Sequence, residues 1–357
     1  MDRDELLRVI AQAEKSGQPE LDLRGKGIAE LPPEIGRLTH LTSLNLAYNR
    51  LSALPPEIGQ LANLTALYLT ANHLSALPPA VFQLSRLDTL DLSVNPLSAL
   101  SPEIGALASL TTLILSWNHL GALPPEVFQL SGLTTLYLSH NQLRALPPDI
   151  QELSNLITLN VSFNPLNALP PEIAALTRLT TLGVSGNQLN LLPPGLFRLA
   201  NLTHLSMRDN QLTALPPEIG RLTHLASLNL NNNRLGTLPP EIAQLAHLTT
   251  LNLNDNRMSA LSPAIGQLTS LTFLDLGDNQ LSALPPEIGT LTDLTELDLS
   301  RNRLSALPPE IRNLTNLETL HLYGNPDLGI PPEIAGHSHH LADPAAILAY
   351  YFENVAR

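Results

Sequence analysis

The sequence is poor in several residue types, and each shortage narrows what the chain can be. It contains no cysteine, so it has neither disulfide bonds nor thiolate metal ligands. No stretch approaches the about 18 consecutive apolar residues of a transmembrane helix. The first ten residues, MDRDELLRVI, carry acids where a secretory leader carries basic residues and then an apolar run. We therefore expect a soluble, cytoplasmic protein that does not associate with membranes.

Basic residues are scarce as well. Lysine and arginine number 19 against 32 aspartates and glutamates, giving a net charge of −13. Phosphate binding needs clustered basic side chains, so nucleic acid is not expected as a partner. The sequence also lacks a phosphate-binding loop and a nucleophile–base pair, so we predict neither an enzyme nor a cofactor site. The HSHH segment at 337–340 has metal-ligand residue types without a fourth ligand at a defined spacing, and no metal site is predicted.

Asparagine recurs at a strict 23-residue step through most of the chain. These asparagines are Asn49, Asn72, Asn95, Asn118, Asn141, Asn164, Asn187, Asn210, Asn233, Asn256, Asn279, Asn302 and Asn325. Around each of them the sequence follows the frame L-x-x-L-x-L-x-x-N-x-L, and x-x-L-P-P-E-I follows in most repeats. A fixed period of this length is the signature of a stacked repeat protein.

The frame itself predicts the local structure of one repeat. Its L-x-L centre alternates with period two, so both leucines point to one side of a strand and their neighbours point to the other. A buried asparagine can donate and accept hydrogen bonds where the strand ends. The prolines suit the first turn of a short helix. The frame matches the leucine-rich repeat, and we predict an α/β solenoid: a horseshoe with a parallel concave sheet and short helical or 3₁₀ convex segments.

The predicted organisation has three segments. Residues 1–26 form an N-terminal capping helix and first strand, and residues 27–335 form the solenoid with 13 asparagine-bearing repeats. Residues 336–357 form a loop and a C-terminal capping or linker helix. Asp343 and Pro344 suit the N-cap and first position of that helix. Caps are expected because stacked repeats contact only their neighbours and leave two open ends.

Binding residues are expected on the concave face, at the position between the paired leucines and at the position just before each asparagine. In the first six repeats these positions are rich in aromatic and apolar residues. Seven of them form the candidate interface: Tyr48, Tyr68, Ile114, Trp117, Tyr137, His140 and Phe163. Exposed aromatic rows are typical of protein interfaces. The alternative is that the rings stack along the sheet and stabilise neighbouring strands.

In the later repeats the same face becomes acidic. The carboxylates concerned are Asp255, Asp275, Asp278, Glu296 and Asp298. One interpretation is an electrostatic contact for a basic partner, and another is a solvated face without a ligand. A third is a divalent-metal or hydrolytic site, which an open sheet disfavours because it neither excludes water nor forms a pocket.

Two resemblances extend this interpretation. The frame with LPPEIGxL resembles the Ras-group or plant-intracellular class of leucine-rich repeats, whose members are cytoplasmic scaffolds for small GTPases or their regulators. The flanks, DRDELLRVIAQAEKSGQPELDLRGKGIAELPPEIGRL and GNPDLGIPPEI…DPAAILAYYF, resemble those of the leucine-rich region in bacterial Roco proteins. In that family a Ras-like GTPase domain and a dimerising COR domain follow.

The resemblance implies a protein-interaction scaffold that regulates a GTPase in cis or in trans through its concave face, with roles in signal transduction. The alternatives are a free-standing recognition protein or effector and, from another class, a metal-binding or hydrolytic protein.

Overall fold

One short strand and one 3₁₀ helix recur in each repeat of the computed structural model, which describes residues 1–335 and 343–356. By its internal packing the chain divides into two units, Met1–Leu179 and Thr180–Arg357. Each unit contains a parallel sheet in which consecutive strands are neighbours. The predicted leucine-rich repeat architecture, with parallel strands and 3₁₀ segments, is confirmed.

The first unit begins with helix α1, Arg3–Ser16. Its strands are β1 Glu20–Asp22, β2 Ser43–Asn45, β3 Ala66–Tyr68, β4 Thr89–Asp91, β5 Thr112–Ile114, β6 Thr135–Tyr137 and β7 Thr158–Asn160. Its 3₁₀ helices are Pro33–Arg37, Pro56–Gln60, Pro79–Gln83, Pro102–Ala106, Pro125–Gln129, Pro148–Glu152 and Pro171–Ala175.

The second unit repeats the pattern and ends in two α-helices, α2 Pro332–Ala335 and α3 Pro344–Asn354. Its strands are β8 Thr181–Gly183, β9 His204–Ser206, β10 Ser227–Asn229, β11 Thr250–Asn252, β12 Phe273–Asp275, β13 Glu296–Asp298 and β14 Thr319–His321. Its 3₁₀ helices are Pro194–Arg198, Pro217–Arg221, Pro240–Gln244, Pro263–Gln267, Pro286–Thr290, Pro309–Asn313 and Pro326–Leu328.

The core lies between the strands and the 3₁₀ helices of each unit. Leu113 in the middle of β5 and Leu115 after it are fully buried, whereas Thr112 and Ile114 are partly exposed on the other side. This alternation follows from the period-two geometry of a strand. The open face of the sheet therefore carries residues that the core does not require.

The repeated asparagines close each turn of the backbone. The Asn118 Oδ1 accepts a hydrogen bond from the Leu97 N–H at 3.1 Å, and its Nδ2 donates to the carbonyls of Leu92 and Leu115, both at 3.0 Å. Two of these three groups belong to the preceding repeat, so the side chain links adjacent turns. A buried backbone group left without a partner costs about 1–3 kcal/mol, and this explains why the residue recurs in every turn.

Glycine permits close stacking of the 3₁₀ helices in several repeats. A Cβ placed on Gly289 would lie 2.4 Å from the Glu310 carbonyl oxygen of the next turn. No real Cβ approaches backbone so closely, so any side chain here must push the two turns apart. By contrast, a Cβ on Gly121 would meet nothing within 4 Å.

Helices α1 and α3 both have capping residues. The Asp2 side chain accepts from the Glu5 N–H at 2.8 Å, and Gly17 ends α1 in the left-handed conformation with φ of 65°. In α3 the Asp343 carboxylate accepts from the Ala345 N–H at 3.0 Å, and Pro344 follows it. Local sequence therefore determines both helix ends.

Both helices bury the face that closes an end of the core. Leu6, Ile10 and Ala13 of α1 are buried, as their helical spacing predicts. In α3, Tyr351 is buried and its hydroxyl accepts a hydrogen bond from the Leu307 N–H at 2.9 Å. That bond satisfies a backbone group of the Asn302 repeat.

Candidate functional site

Two columns of side chains run across the open face of the first unit. The strand column is the last residue of strands β2 to β7: Asn45, Tyr68, Asp91, Ile114, Tyr137 and Asn160. The pre-asparagine column lies three residues further along each repeat: Tyr48, Ala71, Val94, Trp117, His140 and Phe163. All seven residues of the predicted aromatic interface belong to these two columns.

The pre-asparagine column has an unusual backbone. Each of its six residues has φ between 54° and 59°, in the left-handed region. This conformation turns the chain out of the strand and presents the next residue, the asparagine, to the core. For residues other than glycine it costs about 1–2 kcal/mol. This conformation was not predicted from the sequence, although the glycines at positions 186 and 324 of the same register are its signal.

Three rings of this column form one stack. The Trp117 and His140 rings have centroids 3.6 Å apart, and those of His140 and Phe163 are 4.3 Å apart, with interplanar angles of 10° in both pairs. Trp117, at the beginning of the stack, is nevertheless 58% exposed. The stack therefore fixes the indole and leaves much of its surface available. The two interpretations of the sequence, strand support and interface, are compatible at these residues.

Tyr48 lies apart from the stack. Its ring is covered by the Arg24 guanidinium, whose carbon is 4.6 Å from the ring centroid, and Tyr48 remains 53% exposed. Ala71 and Val94 separate it from Trp117, and Val94 is 47% exposed. Arg24 and Val94 were not among the predicted site residues.

The strand column is less continuous. Ile114 and Tyr137 are register partners on neighbouring strands. Tyr68, however, lies between Asn45 and Asp91, so it has no aromatic neighbour in its own column. The predicted cluster therefore consists of a ring stack beside an Ile114–Tyr137 pair, with Tyr68 and Tyr48 at separate positions.

The five predicted carboxylates lie in the second unit, and their neighbours and exposure differ from one to another. Asp275 and Asp298 are register partners, and Glu296 lies opposite Phe273 on the same two strands. Asp278 bonds to the Arg301 guanidinium at 3.4 Å, so its charge is partly balanced. Asp255 is exposed. The structure therefore brings Asp275, Glu296 and Asp298 together on two adjacent strands.

One of these carboxyl groups is strongly perturbed. The pKa of Asp275 is raised from its ordinary value of 3.8 to about 6, chiefly by burial and further by the charges of Asp298 and Glu296. Hydrogen bonds from the Gly277 N–H at 3.0 Å and from the Asn254 Nδ2 at 3.3 Å oppose this rise. Half of the Asp275 population is therefore protonated near pH 6.

No metal site or membrane span is found in residues 1–335 and 343–356. Within these ranges no three histidine, cysteine, aspartate or glutamate side chains are grouped so as to hold a metal ion. No helix there is long and apolar enough to cross a membrane. The HSHH segment at 337–340 lies outside the described residues.

Comparison with known families identifies the repeat. Leucine-rich repeat models match residues 20–74, 62–120 and 108–166 as "Leucine rich repeat". They match residues 192–279 and 215–299 as "Leucine-rich repeat region", and residues 292–331 as "Leucine Rich repeats (2 copies)". A search of curated proteins finds no significant match.

Several solved structures are similar to this chain. A leucine-rich repeat protein of Leptospira interrogans is 36% identical, with a TM-score of 0.75, over 88% of this chain and 93% of that one. The plant peptide hormone receptor RGFR1, solved in complex with RGF2, is 34% identical with a TM-score of 0.74, over 83% of this chain and 49% of the receptor. The internalin InlF of Listeria monocytogenes is 25% identical with a TM-score of 0.70, over 91% and 89%. This chain therefore belongs to the leucine-rich repeat family, whose members act as protein-interaction scaffolds.

Proposed function

We propose that this chain binds a protein partner on the open face of its sheet, with the main contact at the pre-asparagine column of the first unit. The observation that carries the proposal is Trp117, which is 58% exposed although stacking already fixes its ring. A fixed, exposed aromatic side chain loses little conformational entropy on binding and can bury a large area. Aromatic residues of this kind contribute much of the free energy of protein–protein binding.

Three features of the surroundings support this proposal. Ile114 and Tyr137 lie side by side in the adjacent strand column and extend the apolar surface. Val94 and Tyr48 add exposed apolar area along the same column. No core packing requires these side chains, because the leucines on the other side of each strand fill the core.

A capture experiment tests the interface. The wild-type chain and a Trp117→Ala/Tyr137→Ala/Phe163→Ala variant are used as bait, and the bound proteins are compared. Leu191→Ala is the matched control, because Leu191 is 75% exposed and lies outside both columns. We expect the triple variant to lose the specific partner and the control to retain it. If a folded triple variant retained the partner, this surface would be excluded as the binding site.

For the identity of the partner we propose a GTPase domain of the Roco type, acting in cis or in trans, in a cytoplasmic setting. The resemblance of the flanking sequences to Roco proteins supports this proposal. Titration with a GTPase–COR fragment of a bacterial Roco protein tests it, with Trp117 as the single tryptophan reporter. We expect a shift in its emission that saturates. Lack of binding would reject the GTPase domain as the partner. The proposed interface would still be tested by the capture experiment.

The carboxylates of the second unit are proposed as a further contact for basic residues of a partner. Asp275, Glu296 and Asp298 support this, because they lie on two adjacent strands of the open face. An electrostatic contact of this kind weakens as salt is raised. We expect a Glu296→Gln/Asp298→Asn variant to reduce both the affinity and its salt dependence. Equal salt dependence in wild type and variant would favour a merely solvated face.

A further inference from the structure

The pre-asparagine column of the first unit contains a notch. Ala71 and Val94, whose side chains are short, lie between the larger Tyr48 and Trp117. Rings of neighbouring repeats further along this column have centroids 3.6 and 4.3 Å apart. At a similar spacing, the two repeats with short side chains leave room for a planar group between Tyr48 and Trp117.

The Trp117 ring forms one wall of the notch. His140, which belongs to the following repeat, covers one face of the indole at a centroid distance of 3.6 Å. Among the described residues no second ring and no cation lies over Trp117. Trp117 is 58% exposed, so a ligand can reach much of the indole surface that His140 does not cover. The face of an indole carries negative charge density and attracts cations and planar groups.

A carboxylate is held beside the floor of the notch. The Asp91 Oδ2 accepts from the Thr70 hydroxyl at 2.7 Å, and its Oδ1 accepts from the Ser93 N–H at 2.9 Å and from the Ser93 hydroxyl at 2.6 Å. Thr70 and Ser93 directly precede Ala71 and Val94, so these bonds fix the carboxylate next to the floor. None of the ion pairs found in the described part of the chain involves Asp91. Its negative charge is solvated by neutral donors and is not balanced by a cation.

An arginine of the chain already stacks on one ring of this column. At the other wall the Arg24 guanidinium lies 4.6 Å from the Tyr48 ring centroid. A guanidinium is planar and weakly hydrated, so it combines ring stacking with charge better than an ammonium group does.

We propose that the notch binds an arginine side chain of the partner, with the guanidinium stacked on Trp117 and its charge balanced by Asp91. This inference rests on the proposed function and specifies the chemistry of one contact in it. Stacking on the indole and the Asp91 carboxylate together select arginine. An uncharged planar side chain gains only the stacking, and a lysine gains mainly the charge.

Disulfide tethering tests the proposal without knowledge of the partner. The chain has no cysteine, so Ala71→Cys places a unique thiol on the floor of the notch. Two cysteamine-linked probes are compared in a thiol redox buffer, one carrying arginine amide and the other citrulline amide. Citrulline has nearly the same shape and no charge. We expect the arginine probe to be retained about three- to tenfold better, the range of an exposed cation–π contact reinforced by a carboxylate.

Two further variants, made in the Ala71→Cys background, locate the effect. Asp91→Asn should remove most of the preference, and the fold tolerates this change because Asn45 and Asn160 hold the same position in other repeats. Trp117→Leu should reduce retention of both probes, because both lose the stacking surface. Equal retention of the two probes by the parent, or an unchanged preference in Asp91→Asn, would overturn the proposal. Neither result depends on the capture experiment. The arginine site can therefore be rejected while the proposed interface is retained, and the interface can be rejected while the arginine site is retained.

Discussion

Replacing Asp275 by asparagine should stabilise the second unit at neutral pH. The Asp275 Oδ1 accepts the Gly277 N–H at 3.0 Å and the Asn254 Nδ2 at 3.3 Å. An asparagine Oδ1 can accept the same two bonds. Asn252, at the equivalent position of the preceding repeat, already makes such a bond: its Oδ1 accepts the Asn254 N–H at 3.0 Å. The substitution therefore removes a half-buried charge opposite Asp298 and keeps the local hydrogen bonds.

The pKa of Asp275 determines the size and sign of the effect. Its rise from 3.8 to about 6 means that the folded state binds more protons than the unfolded state between these pH values. Stability therefore falls as the pH rises through this window, and the loss is complete above about pH 6. A rise of about two pKa units corresponds to about 3 kcal/mol. Asp275 is only partly buried, and solvent screening reduces this to about 1 kcal/mol.

Chemical denaturation at a series of pH values tests this reasoning. At pH 7.5 we expect Asp275→Asn to be more stable than wild type by about 1 kcal/mol, and at pH 4 the two should differ little. The advantage should persist in high salt, because burial is the largest cause of the raised pKa. The reciprocal variant Asn252→Asp places a carboxylate opposite Asp275 and should lower stability at pH 7.5. An Asp275→Asn protein that is no more stable at pH 7.5, or whose advantage does not vary with pH, would refute the argument.

Three other substitutions test the packing and the backbone by denaturant unfolding. Gly289→Ala should lose about 1–3 kcal/mol because its Cβ collides with the next turn, whereas Gly121→Ala, which meets nothing, should change stability by less than about 0.5 kcal/mol. Asn118→Ala should lose about 3 kcal/mol, since it leaves buried backbone groups without partners; the exposed Asn63→Ala should lose less than about 1 kcal/mol. Val94→Asn should gain about 1 kcal/mol, because asparagine tolerates the left-handed conformation at φ of 56° better than a β-branched residue. Equal losses within either of the first two pairs, or a less stable Val94→Asn, would contradict these expectations.

Most of the fold could be predicted because each repeat determines its own structure. The L-x-L spacing predicts the strand and its buried leucines, and Leu113 and Leu115 are fully buried. The phenylalanines at 82, 128 and 197, which share one place in the 3₁₀ segment of their repeats, are all buried. In a stacked solenoid the same neighbour contacts recur in each turn, so one correct repeat predicts the others.

The candidate site was predictable only in part, because it depends on contacts between side chains of different repeats. Sequence position places Trp117, His140 and Phe163 in one column, but it does not show whether the rings lie face to face. Sequence position also does not show which side chain pairs with an exposed charge. Arg301 lies one repeat after Asp278, and only the structure shows that the two form an ion pair. Rotamers of long side chains decide both outcomes, and the repeat frame leaves these rotamers free.

The residues of the pre-asparagine column are difficult to explain by folding alone. All six adopt a left-handed backbone conformation that glycine or asparagine would adopt with less strain. Stacking offsets part of this strain for Trp117 and His140, at about 0.5–1.5 kcal/mol for each ring pair, and Arg24 does so for Tyr48. Within residues 1–335 and 343–356 no ring or charge compensates Val94, which remains 47% exposed. A short apolar side chain at this strained position serves the floor of a binding notch better than it serves the stability of the fold.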